Sequence, residues 1–223
     1  PGNTRGHDVG SQLYLKDGTS LLGGCWWEKF DESPRDVAAW VSFAAGLDLG
    51  GVALVGHSLG AQKVVYYQAQ RQDPRVRGVI AASGPMRRGR GIKPETLALA
   101  GRMVAEGRAE ALLPIDPWLD EFPPPKPGPV SAQTFLSYAR FDLDVFGVDT
   151  PEPAVAKIRC PLFACYGTEE PEMATAPDLD IIRRTARASS RVDTRMFDGA
   201  DHSYTGHEQT VGAAFAAWLD TLP

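Results

Sequence analysis

The chain has 223 residues, enough for one sizeable hydrophobic core and not for two. Its hydrophobic share of 43% is ordinary for a globular protein. A net charge of −5 and the lack of any long basic run argue against nucleic acid or an anionic membrane as the main partner.

Residues 5–30 carry Gly, polar residues and aromatics without a clear period, and read as loop with one short hairpin around Asp17-Gly18. Ser33-Pro34-Arg35-Asp36 reads as a helix start, with Ser33 as N-cap and Pro34 at the first helical position. That helix runs to about Ala45 and stops at Gly46, with Val37, Trp40, Val41 and Ala44 on one apolar face. Gly51–Gly56 is a short apolar run between glycines, as expected of a strand buried on both faces of a parallel sheet. A helix over about Ala61–Arg71 and a second buried strand over Val76–Ala82 complete a βαβ unit.

From about Gly84 to Glu152 the character changes. Arg, Gly and Pro are frequent, and two helices are predicted near 94–107 and 131–141. Phe122–Pro127 between them is too proline-rich for a regular element. The cluster Arg87, Arg88 and Arg90 reads as a solvated loop. The whole segment reads as an insertion covering one end of the sheet. Strand rhythm returns at Cys160–Gly167, followed by a helix near 177–187, a strand over about Arg191–Phe197 and a closing helix over about Glu208–Leu219. The domain reading is therefore an α/β core over 1–84 and 152–223, a mostly parallel sheet flanked by helices, with a helical lid or cap insertion over 85–151. Cys25, Cys160 and Cys165 are too few and too irregular for a disulfide framework or a metal site, so a reducing, cytoplasmic compartment is the expectation. No run of about 18 apolar residues suggests a membrane span, and no signal peptide opens the chain.

Gly56-His57-Ser58-Leu59-Gly60 fits G-x-S-x-G and falls where a buried strand meets a helix. A sharp reversal there pushes the serine hydroxyl out of the sheet's end, and glycine is expected on both sides to avoid collision. The Leu59 N–H at the helix start is the natural first oxyanion donor. A serine needs a base. His202, in Gly199-Ala200-Asp201-His202, follows the last strand and so shares the rim of Ser58. His57 lies inside the turn and is read as a substrate-side residue; His7 and His207 are less well placed. The acid that orients the imidazole is expected after the preceding strand, in Gly167-Thr168-Glu169-Glu170. Glu170 is favoured, Glu169 is its immediate rival, and Asp142 or Asp144 in the insertion are further alternatives. The competing account of each Glu is a solvated loop carboxylate.

Together these residues resemble the α/β-hydrolase superfamily. Gly56–Gly60 resembles its nucleophile elbow, Gly167–Glu170 its acid turn and Gly199–His202 its histidine loop. Arg5-Gly6-His7-Asp8 resembles the R-G-H-G loop after its fourth strand. The stretch Gly56–Tyr67 looks most like an esterase-like group that includes fungal siderophore esterases. The resemblance implies an α/β-hydrolase fold whose insertion is a lid between strands six and seven. It also implies further chain upstream in the working molecule. That chain would hold a second oxyanion donor, whose loss costs about 2–4 kcal/mol of barrier. Without it, Gly51–Gly56 becomes an edge strand.

The function expected is hydrolysis of a small-molecule ester, thioester or amide through an acyl-enzyme on Ser58, with His202 as base and Glu170 as its orienter. Trp118, Phe122, Phe135, Tyr138 and Phe146 are expected to shape an apolar pocket, and Trp26 and Trp27 its mouth. Packing within the insertion is the competing account of each aromatic. No metal or organic cofactor is implied, and oligomeric state is left open. Acyl transfer or cyclisation by the same residues is one alternative; a non-catalytic binding protein on this fold is another.

Overall fold

The computed structural model describes residues 2–48, 50–86, 92–115, 128–141 and 144–223. Arg87, Arg88, Arg90, Trp118, Phe122 and Asp142 lie outside the described residues. The chain forms two compact units, Pro1–Asp36 with Gly89–Leu143, and Val37–Arg88 with Asp144–Pro223.

The first unit holds an antiparallel hairpin of β1 (Ser11–Tyr14) and β2 (Ser20–Gly23), turning at Asp17-Gly18 as the sequence suggests. It also holds the helices α3 (Pro94–Ala105) and α4 (Ala132–Phe141). The sequence-based division placed residues 1–84 with the sheet, but residues 1–36 group with 89–143 instead. Long-range hydrogen bonds explain the grouping. Ser131 N donates to Trp26 O (2.8 Å), Phe30 N to Ser137 Oγ (3.0 Å), and Trp27 Nε1 to Glu110 O (2.8 Å). Each satisfies a loop group that would otherwise need water. Residues 85–86 and 144–151, expected in the insertion, belong to the sheet unit.

The second unit is built on a four-stranded parallel sheet in the order β3 (Val52–His57), β4 (Val76–Ala82), β5 (Leu162–Gly167), β6 (Val192–Phe197). β5 is buried along its whole length and β4 is buried except at Arg77, as the composition of strands covered on both faces requires. The helices α2 (Leu59–Arg71), α5 (Ala176–Thr185) and α6 (Glu208–Leu219) belong to this unit. One core cluster gathers Ile80, Phe163, Cys165, Phe197, Val211 and Trp218. Trp218 also donates from its indole N–H to Asp193 (2.7 Å). β3 has the composition of a strand buried on both faces but takes the edge position expected of it when no upstream strand pairs with it. It is the sheet's edge, and Val55 is 52% exposed.

The helix α1 (Ser33–Ala45) also departs from expectation at two points. A 3₁₀ turn over Phe30–Glu32 runs straight into it, so Ser33 has helical angles and is not an N-cap. Its hydroxyl is buried, with no hydrogen-bond partner among the described residues. Val37 and Val41 are buried, but Trp40 is 43% exposed and meets Phe43 edge-on at 5.8 Å. Among the described residues, no helix is long and apolar enough to cross a membrane.

Candidate active site

Because all four strands of the sheet run parallel, their C-terminal ends share one rim, where open α/β sheets place their ligands. Ser58 directly follows β3, Ser83 follows β4, Glu170 lies in the turn after β5, and His202 in the loop after β6. Four segments distant in sequence thus deliver one polar side chain each to the same edge.

Ser58 has φ 55° and ψ −128°, a backbone conformation that L-residues seldom adopt and that the surrounding structure must hold. Its N–H donates to Ala82 O at 2.9 Å, tying the turn to β4. Leu59 then opens α2, where the first-turn N–H groups have no acceptor within the helix and carry a partial positive charge. The two glycines of the motif are unequal, contrary to the expectation that both prevent collision. A Cβ on Gly56 would meet the Gly60 carbonyl oxygen at 2.2 Å, whereas a Cβ on Gly60 would meet nothing within 4 Å.

His202 Nε2 lies 3.1 Å from Ser58 Oγ, and His202 Nδ1 lies 2.7 Å from Glu170 Oε2. With Nδ1–H donating its hydrogen bond to the carboxylate, Nε2 is left as the acceptor facing the serine hydroxyl. The Glu170 side chain is fully buried, while that of His202 is 30% exposed. Glu170 Oε1 accepts from Gly167 N–H and from the Ser83 hydroxyl, each at 2.6 Å. The histidine loop is held by its own polar groups. Asp201 Oδ1 accepts from the N–H groups of Ser203 (3.0 Å) and Thr205 (2.8 Å). Gly199 N–H donates to Thr168 Oγ1 (2.8 Å), and Glu169 N–H to Ala200 O (3.0 Å), which joins the loop to the acid turn. A Cβ on Gly167 would come 2.0 Å from Ala200 O, so this close approach requires glycine.

The structure therefore brings Ser58, His202 and Glu170 together. Glu169, the alternative acid, is exposed. Asp144 accepts the N–H groups of Gly147, Val148, Asp149 and Thr150 and makes a local turn. His57 places its Nε2 2.7 Å from the His202 carbonyl oxygen, its ring 4.9 Å from that of His202. Desolvation of its ring against the His202 loop lowers the His57 pKa, opposing the hydrogen bond to His202 O, which raises it, while the residue as a whole stays exposed.

Of the aromatics expected around a substrate, Trp26, Phe135 and Tyr138 belong to the first unit. Phe135 and Tyr138 are buried, and Tyr138 donates to Glu28 Oε1 at 3.1 Å. Trp26 is partly exposed and packs tilted against Trp27. Phe146 is buried in the sheet unit beside Gly84. Two residues escaped the sequence reading: Ser83, which touches Glu170, and Tyr204, which touches Ser83. Only the place of Ser83, immediately after a buried strand ending at the rim of Ser58, could have pointed to it.

Similar folds occur among solved structures. A monoacylglycerol lipase from Paleococcus ferrophilus matches with a TM-score of 0.59 and 17% identity, over 91% of this chain and 83% of the other. Est1E from Butyrivibrio proteoclasticus gives 0.55 and 18%, over 92% and 76%. A thermostable carboxyl esterase from Bacillus coagulans gives 0.62 and 13%, over 86% and 72%. No curated protein matches the sequence. The model of the alpha/beta hydrolase family matches residues 4–218, nearly the whole chain, and the parallel sheet with its flanking helices agrees: the chain belongs to the alpha/beta hydrolase family.

Proposed function

We propose that this protein is a serine hydrolase that cleaves carboxylic esters of small molecules through an acyl-enzyme on Ser58. The observation that carries the reading is the continuous bonding path from Ser58 Oγ through the His202 imidazole to the buried Glu170 carboxylate, at 3.1 and 2.7 Å. In the first half-reaction, Ser58 Oγ bonds to the ester carbonyl carbon as its proton passes to His202 Nε2. The tetrahedral oxyanion takes a hydrogen bond from the Leu59 N–H at the positive end of α2. Collapse expels the alcohol, which takes the proton from His202. Water then attacks the acyl-enzyme, giving its proton to His202, and Ser58 leaves with it. Glu170 holds one imidazole tautomer and stabilises the transient imidazolium.

The family and the esterases and lipases of like fold support ester cleavage as the chemistry. A chain-length series of p-nitrophenyl esters tests it. Turnover that disappears in Ser58→Ala supports the reading, and turnover that survives Ser58→Ala refutes it.

A further inference from the structure

We infer that Ser83 and Tyr204 are positioning residues, two buried hydroxyls in series that fix the Glu170 carboxylate in the orientation its contact with His202 requires. The inference rests on the serine-hydrolase reading above and extends it to residues behind the acid.

The proton count sets the direction of the series. Glu170 Oε2 faces His202 Nδ1, and Oε1 takes Gly167 N–H and the Ser83 hydroxyl at 2.6 Å. A carboxylate only accepts, so the single Ser83 proton is committed to Glu170. The 2.7 Å contact between Ser83 Oγ and the Tyr204 oxygen is then made with the Tyr204 proton, in preference to the Cys165 carbonyl oxygen at the longer distance of 3.4 Å. Cys165 Sγ, 3.6 Å from the Tyr204 oxygen, stands behind it as donor. Burial supports this order. It pushes the Cys165 thiol up to about 12 and the Tyr204 phenol far above its ordinary value, so both keep their protons.

Backbone geometry points the same way. Ser83 has φ 50° and Tyr204 φ 57°, both in the left-handed region. L-residues adopt such angles at an energetic cost, and they persist only where the surroundings enforce them. Ser83 is fully buried and Tyr204 nearly so. Tyr204 also sits in the loop that carries His202, so its hydroxyl links the base's loop to the acid through Ser83. With both oxygens of Glu170 spoken for, rotation of the carboxylate breaks a hydrogen bond at either end.

The test uses the full chain and p-nitrophenyl acetate, with kcat and KM measured for Ser83→Ala, Ser83→Gly and Tyr204→Phe, alone and in a Glu170→Gln background. Misaiming the acid is expected to lower kcat about 10- to 100-fold in both Ser83 variants with KM nearly unchanged. Ser83→Gly separates hydroxyl from strain, because glycine suits φ 50°: it should unfold no earlier than Ser83→Ala yet lose the same activity. Tyr204→Phe should lose less, and adding it to Ser83→Ala should cost nothing more, since it acts through Ser83. In Glu170→Gln the Ser83 effect should vanish. Ser83 variants within two-fold of wild-type kcat would overturn the inference, as would a Ser83 loss that persists undiminished in Glu170→Gln. Turnover retained in Ser58→Ala would instead overturn the hydrolase reading, and this one with it.

Discussion

A Cβ placed on Gly56 would lie 2.2 Å from the Gly60 carbonyl oxygen, while one on Gly60 itself would meet open space. The tight approach of β3 to the first turn of α2 therefore falls on one glycine of the motif only. Gly56→Ala should destabilise the protein by about 1–3 kcal/mol or more, because the obstacle is backbone and cannot swing aside. Gly60→Ala should be neutral or stabilising by about 0.5–1 kcal/mol, since alanine is the better helix residue. Urea unfolding of both variants checks the pair, and equal losses would contradict it.

The two adjacent acids separate by substitution. Glu170→Gln keeps the shape but gives Nδ1 the wrong partner, and kcat should fall by about 10³–10⁴. Glu169→Gln changes an exposed side chain and should leave kcat within two-fold. Steady-state kinetics with a p-nitrophenyl ester decides between them. Comparable losses in both would reassign the acid.

Stability should respond to pH through His57. Desolvation of its ring lowers its folded pKa below the ordinary histidine value, a small effect because the residue is otherwise exposed and screened by solvent. The unfolded chain then binds a proton that the folded chain resists, so stability is full above about pH 6.5 and falls as pH drops below it. His57→Gln retains an N–H for the His202 carbonyl and removes the titration. Its Tm should fall less steeply than that of the wild type between about pH 6.5 and 5. Identical slopes in differential scanning calorimetry would contradict the assignment.

Much of the sheet unit was legible because its signals are local. The run Val76–Ala82 carries enough continuous hydrophobicity to place β4 to the residue, and the glycines around Ser58 mark the turn between β3 and α2. His202 followed from chain order, since parallel strands end at one rim. What the sequence hid depends on contacts across long separations. Nothing in residues 1–36 signals that Trp26 O and Phe30 N will meet partners about a hundred positions away, at Ser131 and Ser137. Ser33 looked like a cap because the 3₁₀ turn before it has no distinctive composition. Glu169 and Glu170 differ only in which way a tight turn aims them, and that depends on Gly167 pressing against Ala200. Ser83 and Tyr204 lack any motif at all; their shared contact with the acid's surroundings emerges only when β4, β5 and the His202 loop are assembled.

In the proposed mechanism Ser58 is a nucleophile activated by His202. The most direct measurement is reaction of the full chain with a fluorophosphonate, followed by mass spectrometry of the labelled peptide. One adduct on Ser58 is expected, slowed strongly by His202→Ala and absent in Ser58→Ala. An unlabelled Ser58 in folded protein, or labelling at the same rate without His202, would contradict the account.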